Sequence, residues 1–132
     1  MTDFLHALEF YCNELDIDSS KIILFLSEAD DMDVAGYCDR LDDSYIVKLV
    51  RTQLEHNAPP LAILAHELIH VMQYESGLLE DLPDGLCRWK GKIYLDPCIF
   101  LCENIYYNAP WEHQAYALQD RLYYKYLRSL GQ

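Results

Sequence analysis

The chain is poor in positive charge. Ten Lys and Arg stand against 22 Asp and Glu, a formal net charge of −12. Nucleic-acid binding needs a basic surface and docking on anionic membranes needs a basic patch, so the balance argues against both partners. Solubility alone explains the acidity, and a preference for basic substrates has little else behind it. No amino-terminal stretch joins a basic region to an apolar core. Thr2-Asp3 opens directly into Phe4, Leu5, Leu8, Tyr11, Cys12 and Leu15, a helix pattern that predicts a cytoplasmic protein without a signal peptide. The apolar run around Leu61 to Met72 is too short, and its flanks too polar, for a membrane span. Repeats, low-complexity tracts and linkers are missing as well. A chain of 132 residues with 52% apolar content therefore reads as one globular domain, 1–132, around a single core. Its five cysteines, Cys12, Cys38, Cys87, Cys98 and Cys102, are odd in number and scattered, which excludes a disulfide framework and predicts buried free thiols. Cys98 and Cys102 stand four apart, a spacing that suits a metal clasp on a helix, but no second pair completes a structural site.

What is present is His66-Glu67-Leu68-Ile69-His70, an HExxH motif inside an apolar run. Residues four apart on an α-helix lie one above the other. His66 and His70 can therefore offer two imidazole nitrogens to one metal ion. Glu67 lies roughly 100° round the helix from His66, close enough to hold the water that a catalytic metal activates and to act as its general base. The flanks suit a helix from about Pro59 to Ser76. Proline opens it, Leu61, Leu64, Ala65, Leu68, Ile69 and Met72 form an apolar stripe, and Gly77 stops it.

Other elements read as follows. Asp3 to Leu15 forms a first helix. Lys21 to Leu26 is a β-branched apolar run, read as a central strand. Val34–Arg40 and Tyr45–Val50 flank the turn-like Leu41-Asp42-Asp43-Ser44 and read as a hairpin, with Lys48 a charge that blunts a sheet edge. Residues 51–58 are a connector or short helix. Glu80 to Gly85 is a loop by composition. Leu86 to Leu95 forms a small hairpin about Lys90-Gly91 and carries Trp89 and Tyr94. Pro97 to Tyr107 carries no clear pattern. From Pro110 onward Trp111, Ala115, Leu118, Leu122 and Tyr126 mark a helix face.

Two histidines do not complete a catalytic zinc site, which has three protein ligands plus water. No His follows His70 at metzincin spacing. A distant carboxylate is the remaining option, and Glu112 is the best candidate, because the first turn of a helix favours an anion. Glu75, Glu80 and Glu103 are weaker rivals, since none opens a clear helix beside an apolar anchor.

The order of a helix, three strands, the His66–His70 helix and a later helix with a Glu resembles the minimal gluzincin metallopeptidases. The segment Tyr106-Tyr107-Asn108-Ala109-Pro110-Trp111-Glu112-His113-Gln114-Ala115 is similar to the Pro-x-Glu-x-x-Ala segment of small phage and bacterial HExxH families. His70-Val71-Met72-Gln73 and Trp89-Lys90-Gly91-Lys92 are similar to them too, so the likeness spans about residues 20–120. The resemblance implies an α+β, zincin-like fold, with a small antiparallel or mixed sheet packed against the HExxH helix and against a later helix bearing the ligand Glu. It implies Zn2+ held by His66, His70 and Glu112, with Glu67 as general base and acid. It further implies that Tyr45–Val50 borders the cleft and pairs with an extended peptide. Gluzincins often place an Asp four residues after the ligand Glu to orient a zinc histidine; here that position is Tyr116. The developing oxyanion also needs an electrophile. Tyr94, Tyr106, Tyr107 and His113 are candidates, and Tyr107 is the most economical choice because it lies near Glu112 in sequence. The expected activity is that of a zinc metallopeptidase acting on a peptide or protein substrate. The alternative is a metal-bearing binding or regulatory module without turnover, against which the intact Glu67 speaks.

Overall fold

The computed structural model describes residues 4–27, 36–50, 59–95 and 109–131. Residues 51–58, Cys98, Cys102, Glu103, Tyr106 and Tyr107 lie outside the described residues. The described part is a mixed α+β fold. It has helices α1 (Phe4–Leu15), α2 (Pro60–Glu75) and α3 (Pro110–Ser129) and two small sheets. None of these helices is long and apolar enough to cross a membrane.

Helix α2 is the hub. Every residue from Ala62 to Val71 is buried. A helix apolar or buried all round needs partners on several sides, and α2 packs on α3, on α1 and on strands of the first sheet. Pro60 occupies its first turn, where the missing N–H costs nothing. Gly77, at φ 79°, takes the left-handed conformation just past its end and donates from its N–H to Tyr74 O. Tyr11 on α1 donates from its hydroxyl to Leu61 O at 2.9 Å, which ties α1 to the start of α2. Along α3 the buried residues Trp111, Glu112, Ala115, Gln119, Leu122 and Tyr126 form one stripe at helical spacing.

The first sheet contains β1 (Ile22–Ser27), β2 (Gly36–Leu41) and β3 (Ser44–Val50) in the order β1-β3-β2. The expected hairpin is β2–β3, turned at Asp42-Asp43, with Asp42 at φ 54°. Two expectations are corrected. Among the described residues the run Lys21 to Leu26 is not central: β1 lies at one end of the strand order, and its Ile23, Phe25 and Leu26 are exposed. Tyr45–Val50 is not an edge. Strand β3 pairs in parallel with β1 and antiparallel with β2, so its backbone groups are already committed. Lys48 therefore blunts no edge; its Nζ lies over the Tyr37 ring at 5.5 Å. The reason is topological. Strand β2 fills one side of β3 through a two-residue turn, and β1 docks on the other side, an arrangement that apolar patterning within each strand does not encode.

The second sheet, β4 (Leu79–Leu82), β5 (Leu86–Trp89) and β6 (Lys92–Leu95), is antiparallel in sequential order. The Lys90-Gly91 turn forms as expected, with φ 49° and 85° as a tight two-residue hairpin requires. The segment Glu80–Gly85 is only partly loop: Glu80 to Leu82 belongs to β4. Its acidic residues misled because they sit on the solvent side, where Arg88 Nη1 donates across the strands to Glu80 Oε1 at 2.6 Å. Trp89 and Tyr94 pack on Trp111, with ring centroids 6.3 and 5.6 Å apart. The second sheet thus braces the first turn of α3, one residue before Glu112.

Candidate metal centre

His66 and His70 are one turn apart on α2, and their imidazoles meet at 82° with centroids 4.8 Å apart. Helix α3 crosses α2 so that Glu112, in its first turn, faces both. His66 Nε2 lies 2.9 Å from Glu112 Oε1, His70 Nε2 lies 3.2 Å from Glu112 Oε2, and the two Nε2 atoms are 3.2 Å apart. Three buried donors thus point at one another, and the group could hold a metal ion. A tetrahedral ion with bonds of about 2.0–2.1 Å keeps its ligand atoms roughly 3.3 Å apart, and the three donors here lie within 4.8 Å of one another.

Each imidazole uses its other nitrogen for a fixed hydrogen bond. His66 Nδ1–H donates to Gln119 Oε1 at 2.7 Å, and His70 Nδ1–H donates to Gln73 Oε1 at 2.8 Å. Both bonds leave Nε2 turned toward Glu112, where a metal ion could be held. Tyr116, the position where gluzincins often carry an Asp, lies with its ring 4.5 Å from the His66 ring, while Gln119 accepts the His66 proton. Gln73 and Gln119 were missed in the sequence. The available signal was positional: Gln119 falls on the apolar stripe of α3, and Gln73 stands three after His70.

The electrostatics follow from burial and pairing. Burial works against charge on His70, yet the hydrogen bond and attraction from Glu112 prevail and raise its pKa to about 9. Burial likewise works against charge on Glu112, but hydrogen bonds from His66 and His70 outweigh it and hold the carboxyl at about 2. Glu67 is buried beside these groups. Burial pushes its pKa up, Glu112 pushes the same way, and His70 and His66 oppose.

No known family, curated protein or solved structure matches the chain. The functional reading therefore rests on the site itself. Of the rival ligands, Glu75 accepts from Lys21 Nζ and from the Tyr45 hydroxyl, both at 2.8 Å, and Glu80 pairs with Arg88. Neither joins the histidines. Among the oxyanion candidates, His113 is exposed on α3 and Tyr94 packs edge-on to Trp111; Tyr106 and Tyr107 lie outside the described residues.

On the sheet side, β2 approaches α2. A Cβ on Gly36 would sit 3.1 Å from Ile63 Cγ2. Two residues on, burial raises the Cys38 thiol well above its ordinary value, with Glu67 adding to the effect. Glu67 thus acts electrostatically on a residue of strand β2.

Proposed function

We propose that this chain is a zinc-dependent peptidase of the minimal gluzincin kind, with His66, His70 and Glu112 as ligands and Glu67 as general base. The observation that carries the reading is the convergence of three buried donors from two helices, with a fourth, buried carboxylate one residue after the first ligand. An ion bound there supplies a Lewis acid and lowers the pKa of a water to about 7. Two imidazoles and one carboxylate form the nitrogen and oxygen donor set that suits catalytic zinc. Glu67 takes a proton from the attacking water at its carboxylate and returns it to the leaving amide nitrogen. Burial, which raises its pKa, favours the protonated carboxyl that the second transfer needs. A purely structural site has no use for such a group, which favours turnover over a binding module.

The substrate on this reading is an extended peptide. Strand β3 is closed to it, but among the described residues β2 pairs only with β3. Its outer side offers a ladder for β-addition, on the strand whose Cys38 is influenced by Glu67.

Glu67→Gln keeps size and polarity and removes the base. With a proteome-derived peptide library and mass-spectrometric readout, the variant should keep its zinc and its substrate binding and lose about a hundredfold or more in turnover. Binding of peptides by the wild type without any cleavage, and equal binding by Glu67→Gln, would replace the enzyme reading with the binding-module one.

A further inference from the structure

The two ligand-bearing helices are joined at the site by glutamine side chains. Gln73 is fully buried on α2. Its Oε1 accepts from His70 Nδ1–H at 2.8 Å. Its Nε2 donates to Trp111 O and to Gln114 Oε1, both at 2.9 Å. A backbone carbonyl can only accept, so Trp111 O fixes which end of the amide is nitrogen. The oxygen must then face His70, and His70 must carry its proton on Nδ1. A carbonyl on α3 thereby sets the tautomer of a histidine on α2. That carbonyl belongs to the residue next to Glu112. Gln119 makes the reciprocal crossing: it stands on α3 and accepts from His66 on α2. Each glutamine follows a ligand by seven positions, two helical turns, which returns it to the ligand's face of the helix.

We propose that Gln73 is the positioning residue of this centre: one amide holds His70 in the metal-binding tautomer and fixes the distance between that histidine and Glu112 across the two helices. The proposal rests on the metal-site reading. Gln73 has two separable jobs, as acceptor for an imidazole and as donor to the facing helix, whereas Gln119 accepts from His66. Both acceptors are neutral, so Glu112 is the one formal negative charge among the three ligands and these two partners.

The two jobs make opposite forecasts for conservative changes. Gln119→Glu keeps an acceptor at His66 and should bind zinc at least as tightly as the wild type. Gln73→Glu also keeps an acceptor at His70, but it sets a carboxylate oxygen against Trp111 O and loses the tie. Gln73→Leu loses both. Loss of an imidazole's hydrogen-bond partner typically costs 10–100-fold in metal affinity. The affinities of full-length variants for Zn2+ are measured by chelator competition, and the visible spectrum of the Co2+-loaded proteins reports ligand geometry. Both Gln73 variants should bind about 10–100-fold more weakly and show an altered Co2+ spectrum. Leu122→Ala, on the same stripe of α3, serves as control for simple loss of packing; it should lower stability and leave affinity and spectrum unchanged. Wild-type affinity and spectrum in Gln73→Glu would overturn the proposal while leaving the site standing. Equal weakening in Leu122→Ala would also overturn it, by reducing Gln73 to packing. Failure of the wild type to bind Zn2+, or undiminished binding by His70→Ala, would instead sink the metal-site reading beneath it. Should Gln73→Leu fail to fold, Gln73→Glu and Gln119→Glu decide the matter between them.

Discussion

His66 Nε2 and Glu112 Oε1 are 2.9 Å apart although 46 positions separate them in the chain. Nothing local brings them together. The contact exists because α2 and α3 both bury an apolar stripe and cross where each carries a polar side chain. Two buried polar groups of this kind are tolerated only when they satisfy one another or share an ion.

The purified protein should carry about one divalent ion per chain. His66→Ala and His70→Ala should abolish stoichiometric zinc by elemental analysis, and Glu112→Ala should reduce it severely, since a catalytic site needs three protein ligands. Full occupancy after loss of either histidine would remove the site, and unchanged occupancy in Glu112→Ala would remove that ligand.

Ion uptake should release protons in a pH-dependent way. With its pKa raised to about 9, His70 is an imidazolium at pH 7 in the ion-free protein, and a ligand histidine must give up that proton. Titration calorimetry in two buffers of different ionisation enthalpy should therefore show proton release near pH 7, with the His70 share fading as pH rises through about 9. The sign for stability follows from the same shift. His70 contributes to the ion-free fold fully below its unfolded value of 6.5, and that contribution is lost as pH rises towards 9. Absence of proton release at pH 7 would contradict the His70–Glu112 pairing.

Gly36 is held by space. A Cβ there would lie 3.0 Å from Leu49 Cδ2, 3.1 Å from Ile63 Cγ2 and 3.2 Å from Lys48 O. Gly36→Ala should destabilise the protein by about 1–3 kcal/mol, the usual cost of overpacking, measured by urea unfolding. A neutral result would mean that β2 and α2 are less closely apposed than described.

All five thiols should titrate as free under denaturing, non-reducing conditions. Cys12 and Cys38 are free thiols in the structure. In the native state Cys12 should react slowly, because it is buried and burial, with Glu9 and Asp18 adding, raises its thiol to about 11. A stoichiometric disulfide, or rapid native labelling of Cys12, would go against this.

The sequence by itself determined the local chemistry and the local elements. The spacing of His66 and His70 places both imidazoles on one face of any helix that forms. Pro60 with Gly77, and Pro110, mark helix ends through backbone geometry alone. Asp42-Asp43 and Lys90-Gly91 mark turns in the same way. Glu112 was legible as a candidate ligand because a carboxylate in the first turn of an amphipathic helix is a local feature. Only the tertiary structure decided what depends on residues far apart in the chain. Strand order is one case: β1 and β3 are both apolar, and which of them is flanked on both sides is set by docking, not by composition. The glutamines are the other. Gln73 meets His70 within α2, but its tie to the facing helix needs Trp111 O, and Gln119 meets His66 only across the two helices. The ties between the helices are a property of their crossing, although the position of each glutamine on its own helix face is local.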